Sequence, residues 1–145
     1  MRLVRILLAE DNEDHLFLIV RALRDMEGVR LEIDAVRDGA EALDYINRRG
    51  RFEARPRPHL IILDLKMPKV SGFEVIESIK KDPELRTIPI VVLTASDRDE
   101  DVEASYDLGA NSYVVKPSTP AGLREGLQEL SGYWTALASL PEPPQ

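Results

Sequence analysis

Apolar residues gather in this chain in three unbroken runs: Ile6-Leu7-Leu8 within Val4 to Ala9, Leu60 to Leu63, and Ile88 to Leu93, where Pro89 stands near the start. None of them alternates with polar residues, so each predicts a strand covered on both faces, as in a parallel sheet. Leu31, Ile33 and Ala35 do alternate, with Glu32 and Asp34 between them. That spacing predicts a half-exposed edge strand. Tyr113-Val114-Val115 reads as a short last strand.

Between the strands the apolar spacing changes to three and four. Leu16, Ile19, Val20, Leu23 and Met26 form one helical face, closing before Gly28. Ala42, Leu43 and Ile46 form a second, opened by Asp38 with Glu41 and ending near Gly50. Val75, Ile76 and Ile79 form a third, opened by the capping box of Ser71 and Glu74 and stopped at Asp82-Pro83. A fourth helix, from about Arg98 to Leu108 with Gly109 as its stop, has only Val102 and Tyr106 as anchors, which predicts a loosely held element. Thr119-Pro120 opens a last helix carrying Leu123, Leu127, Leu130, Trp134 and Leu137 at heptad-like steps. That series suits either the core face of the helix or a seam between two copies of the chain. Pro141-Glu142-Pro143-Pro144-Gln145 should be extended. Strand and helix thus alternate five times, which predicts an α/β fold with a doubly wound parallel sheet. Residues 1–138 read as one domain with an extended last helix, and residues 139–145 as a proline-rich tail.

Composition narrows the function. A formal charge of −7 argues against a general nucleic-acid or membrane-surface binder. The absence of cysteine excludes disulfides, a thiolate nucleophile and Cys-ligated zinc. Neither a spanning apolar run nor a signal peptide is visible, since Glu10 interrupts the first run early, and a cytoplasmic protein is the expectation. The arginines from Arg48 to Arg57 read as a solvated loop rather than an anion patch, and His15 and His59 as surface or packing residues.

The buried runs end on chemistry. If the strands lie parallel, their carboxyl ends bring Glu10 and Asp11, Asp64, Thr94 and Lys116 to one rim, where open α/β sheets form their working crevice. Three carboxylates this close need shared protons or a bound cation. A hard divalent ion such as Mg²⁺, which takes one or two carboxylates, water and phosphate oxygens, fits best. The set suits phosphoryl transfer to a carboxylate: Asp64 as nucleophile, Mg²⁺ and Lys116 neutralising the equatorial oxygens, Thr94 donating to one of them.

Glu10-Asp11, Leu63-Asp64-Leu65-Lys66-Met67-Pro68, Thr94-Ala95 and Lys116-Pro117 together resemble the receiver domains of two-component response regulators over about residues 4 to 130. The resemblance implies a flavodoxin-like (βα)5 three-layer sandwich with strand order 2-1-3-4-5. It implies that Asp64 accepts phosphate from a histidine kinase, and that Glu10, Asp11, Asp64 and the backbone carbonyl of Lys66 hold Mg²⁺. Thr94 and Tyr113 fall on the switch positions, and the Lys116-Pro117 bond would be cis. Such a protein signals through a phosphorylation-dependent surface change and is a phosphoacceptor rather than an enzyme with turnover.

More narrowly, Lys80 to Arg86, Asp99 to Asn111 and Tyr133 to Pro141 resemble the stand-alone regulators that partner bacterial phytochrome kinases. That likeness implies a homodimer through the C-terminal helix and tail. Lys66 departs from the small polar amide that members often carry two residues after the acceptor, which bears on how long the phosphoryl group lasts. It also argues against an aspartate-nucleophile phosphatase, which needs a second Asp there as general acid. Glu10 to Asp14 would repel the phosphate of a flavin carrier. A pseudo-receiver acting only as an interaction module remains the alternative.

Overall fold

The computed structural model describes residues 2–145, apart from the side chain of Leu137. The apolar runs lie side by side as five parallel strands, β1 (Arg2–Ala9), β2 (Val29–Val36), β3 (Leu60–Leu63), β4 (Ile90–Thr94) and β5 (Ser112–Val115), in the order β2-β1-β3-β4-β5. The alternating segment is an edge strand, as its pattern required, and the continuous runs occupy the centre.

Five helices cover the two faces: α1 (Glu13–Arg24), α2 (Gly39–Ile46), α3 (Gly72–Lys81), α4 (Asp99–Leu108) and α5 (Pro120–Gly132). Successive residues of each central strand point into opposite cores. Leu7, Ile61, Leu63, Ile90 and Val92 pack with α2 and α3, while Ile6, Leu8, Leu60, Ile62, Val91 and Leu93 pack with α1 and α5. Burial on both sides is why these runs have no polar positions; each large side chain so buried contributes about 1.5–3 kcal/mol.

Helix starts follow the local caps. Asp38, Ser71 and Thr119 each accept the N–H three residues on, and Asn12 does the same for His15, a cap that the apolar spacing alone did not identify. Helix α4 buries only Ser105. Its expected anchor Tyr106 is exposed and instead accepts the N–H of Tyr113 through its hydroxyl, 3.1 Å away.

The chain's end differs from a single long helix. Helix α5 stops at Gly132, Tyr133–Leu137 forms one π-helical turn, and Ala138 is already extended. Leu123 and Leu127 are buried, and Leu130, Trp134 and Leu140 pack against the same core, so this part of the apolar series is the inward face of the helix; the side chain of Leu137 lies outside the described residues. The tail turns back across the molecule, where Arg57 donates to the carbonyl of Gln145.

Two further differences concern backbone and charge. Every peptide bond among the described residues is trans, Lys116–Pro117 included, which corrects the cis bond implied by resemblance; trans is the form an X–Pro bond favours by about 0.5–1 kcal/mol. The arginine loop is a solvated face of ion pairs, Arg49 with Asp44, Arg51 with Glu41 and Arg55 with Asp34. No helix among the described residues is long and apolar enough to cross a membrane.

Candidate functional site

The strand ladder runs one step beyond the strands and fixes the polar residues at their ends. Glu10 N–H donates to Val36, Asp64 N–H to Ala9 and Lys116 N–H to Thr94, at 3.0, 3.0 and 2.7 Å. Because Ala9 pairs with Leu63 and Thr94 with Val115, these residues come level at one rim. The carboxylates of Glu10, Asp11 and Asp64 have oxygens within 4.8 Å of one another.

Lys116 stands among them. Its ammonium donates to Asp64 Oδ2 at 2.9 Å, to Glu10 Oε1, and lies 3.0 Å from His15 Nδ1. The side chains of Lys116, Glu10 and Asp64 are 5%, 2% and 9% exposed, whereas Asp11 faces solvent. Burial pushes the Glu10 carboxyl up to about 7; Asp64 adds to the rise, and the hydrogen bond from Lys116 opposes it. For Lys116 burial works downward, but its bonds to Glu10 and Asp64 outweigh it and the net shift is upward. A buried carboxyl with no cation beyond one lysine holds its proton more tightly, and an oxygen-only set of three carboxylates suits a hard divalent ion.

The loop after β3 shapes the surroundings of Asp64. Lys66 N–H points at Asp64 Oδ1, 3.3 Å away, while the Lys66 side chain is exposed. Gly72 N–H donates to Leu65, which folds the start of α3 back against the rim. At the end of β4, Thr94 is buried. Tyr113 lies half-buried on β5, and its hydroxyl donates to the Ser96 carbonyl at 2.8 Å, tying the β4–α4 loop to the edge strand.

All the residues read from sequence as site residues thus gather at one end of the sheet, Tyr113 being the most peripheral. His15 was missed. The available signal was its place in the first turn of α1, four residues after Asp11, but helix position alone does not say which way a ring points. His59 is a packing residue, its Nδ1 accepting the N–H of Arg5 at 2.9 Å.

A parallel five-stranded sheet in this order, with acids, a hydroxyl and a lysine at its carboxyl edge, defines a receiver-type signalling domain. The chain belongs to the response regulator receiver family, whose sequence pattern its residues 6–128 match. It is 41% identical over 138 residues to the probable methanogenesis regulatory protein FilR2 of Methanothrix harundinacea, covering 95% of this chain and 88% of that protein. Response regulator Rcp1 of Synechocystis is 38% identical over 136 residues, covering 94% and 92%. The crystal structure of Rcp1 in its Mn²⁺-bound form superposes with a TM-score of 0.92 at 37% identity over 96% of this chain and 99% of the other. That of the phosphorylated cyanobacterial phytochrome response regulator RcpA does so with the same TM-score and coverage at 40% identity.

Proposed function

We propose that this protein is a phosphoacceptor of a two-component relay, taking a phosphoryl group from a sensor histidine kinase onto Asp64. The observation that carries the reading is the Lys116 ammonium held against Asp64 Oδ2 and Glu10 at the carboxyl edge of the sheet. An ionised carboxylate oxygen has no proton to lose and attacks phosphorus without a base; the P–N bond to the donor histidine breaks, its electron pair stays on the imidazole nitrogen, and that nitrogen takes a proton from solvent.

Glu10, Asp11, Asp64 and the carbonyl of Lys66 are the ligands assigned to Mg²⁺, which when bound supplies charge neutralisation at the phosphoryl oxygens. The three carboxylates fit that role by donor chemistry and proximity. Lys116 neutralises one equatorial oxygen and the Thr94 hydroxyl donates to another. Tyr113 is the assigned relay, because its bond to Ser96 couples the loop beyond Thr94 to β5. Phosphorylation adds up to about two negative charges at the rim, and coupling of roughly 1–3 kcal/mol to a partner surface on α4, β5 and α5 is the expected output.

The likeness to the phytochrome response regulator RcpA supports a phytochrome-type kinase as the donor, and the cytoplasm is the place of action in this reading. Residues 1–138 serve as the receiver unit, with 139–145 as a tail laid on it. A homodimer through the last helix and tail belongs to the same reading, supported by Tyr133, which is 51% exposed beside Trp134. The net charge of −7 argues against nucleic acid or membrane as a partner.

The test is labelling with a small acyl phosphate and Mg²⁺. The parent should carry a hydroxylamine-labile phosphoryl group, and Asp64→Asn should carry none. An unlabelled parent, under conditions that label another receiver, would leave the interaction-only reading; an equally labelled variant would place the acceptor elsewhere.

A further inference from the structure

The Lys116 ammonium has three protons to donate and meets three acceptors: Glu10 Oε1, Asp64 Oδ2 and His15 Nδ1. Lysine offers no acceptor, so the bond to His15 requires the imidazole tautomer with its proton on Nε2 and a lone pair on Nδ1. The start of α1 brings the His15 backbone to the rim. Asn12 caps α1 by accepting the His15 N–H at 3.0 Å, and Asn12 N–H in turn donates to Glu10 Oε2 at 3.2 Å. Glu10, Asn12, His15 and Lys116 therefore close a circuit of hydrogen bonds around the rim.

The three acceptors differ in what the reaction demands of them. In the function proposed above, on which this inference rests, Asp64 forms a new bond to phosphorus and Glu10 turns to a cation. His15 has neither duty. It is also the most open of the three, with a side chain 39% exposed at the mouth of the site. As the two carboxylates are drawn off, His15 is the acceptor left to hold the flexible lysine stem in place, so that the freed ammonium protons face the incoming phosphoryl oxygens.

We propose that His15 is a positioning residue for Lys116, holding its ammonium at the rim by accepting a hydrogen bond through Nδ1 during phosphoryl transfer. Its loss should lower the maximal rate of phosphorylation, where Lys116 acts, and leave cation binding by the carboxylates nearly unchanged. A net hydrogen bond of ordinary strength corresponds to an effect of about 3- to 10-fold.

The full chain, His15→Leu and His15→Gln are compared with acetyl phosphate and Mg²⁺, each variant first checked for a parent-like unfolding midpoint. His15→Leu should phosphorylate about 3- to 10-fold more slowly at saturating donor, with the half-saturating Mg²⁺ concentration held within about twofold, and His15→Gln, which keeps an acceptor, should recover most of the rate. A Leu variant as fast as the parent overturns the inference, as does equal slowing in both variants, which would mark a purely structural role. Long-range proton–nitrogen correlation of the ring gives a readout independent of phosphorylation: a proton on Nε2 is expected, and a proton on Nδ1 instead overturns the inference. Failure of the parent to label at Asp64 overturns the underlying function, a different result from normal labelling that is indifferent to His15.

Discussion

Gly72 packs its bare α-carbon against the backbone of Asp64: a Cβ on Gly72 would lie 2.4 Å from the Asp64 carbonyl oxygen and 2.6 Å from Leu65 Cα. The first turn of α3 thus seats directly on the Asp64 peptide, and the obstacle to a side chain is main chain, which cannot swing aside. Gly72→Ala should destabilise the protein by about 1–3 kcal/mol, as overpacking does. It should also slow labelling of Asp64 more than a distant substitution of equal stability cost. Denaturant unfolding with the acyl-phosphate assay checks both; an alanine variant with parent-like stability would contradict the close approach.

Cation binding should stabilise the fold through Glu10, Asp11 and Asp64. At about 100 times its dissociation constant, Mg²⁺ should add ~2.7 kcal/mol, raising the unfolding midpoint by roughly 5–10 °C. Asp11→Asn should lose most of that gain while its metal-free midpoint stays level with the parent or above it, because Asp11 is solvent-facing and forms no ion pair with Lys116. Thermal melts with and without Mg²⁺ decide the point.

His59 should contribute a loss of stability in mild acid, against the gain from Glu10, whose carboxyl is raised to about 7 and takes up a proton in the folded state over the same range. Burial, with Arg5 and Arg2 nearby, holds its imidazole below the ordinary 6.5, and Glu142 opposes them. At this residue the unfolded chain then binds a proton that the folded chain does not, so the His59 contribution is intact above about 6.5 and declines as pH drops from there toward the folded-state value. His59→Asn, which keeps an acceptor for the Arg5 N–H, should gain stability relative to the parent as pH drops through that range. Melting curves between pH 7.5 and pH 5.5 measure the difference; parallel profiles would assign the acid loss to other groups.

Lys66 has an exposed side chain two residues after Asp64, and its backbone N–H points at Asp64 Oδ1. An ammonium there should screen the phosphoryl group from water and attract its oxygens. Lys66→Ala is therefore expected to shorten the phosphoryl half-life, by about two- to fivefold for a solvated charge contact. Decay of the labelled protein after donor removal gives the value, and a longer half-life in the variant would reverse the assigned role.

Much of this architecture was readable from local patterns. Leu60 to Leu63 had to be a central strand because no position in it tolerates water, and Asp38, Ser71 and Thr119 announced helix starts because an N-cap is a contact between residues three apart. The acids and the lysine were legible because each stands at the end of a strand, the acids after buried runs and Lys116 after the partly exposed β5. The end of the last helix was not. Its apolar spacing continues through Trp134, yet the α-helix stops at Gly132, since the turn that follows is set by packing of Trp134 and Leu140 on the core.

The sequence by itself determined the five strands, the faces of the helices and the presence of Glu10, Asp11, Asp64, Thr94 and Lys116 at strand ends, because these are properties of spacing along the chain. Only the tertiary structure decided that Lys116 meets His15, 101 residues away, that Tyr113 reaches the Ser96 carbonyl, and that Gly72 leaves no room above Asp64. Those contacts depend on strand register and side-chain direction, which are fixed only when the two cores close on the sheet together.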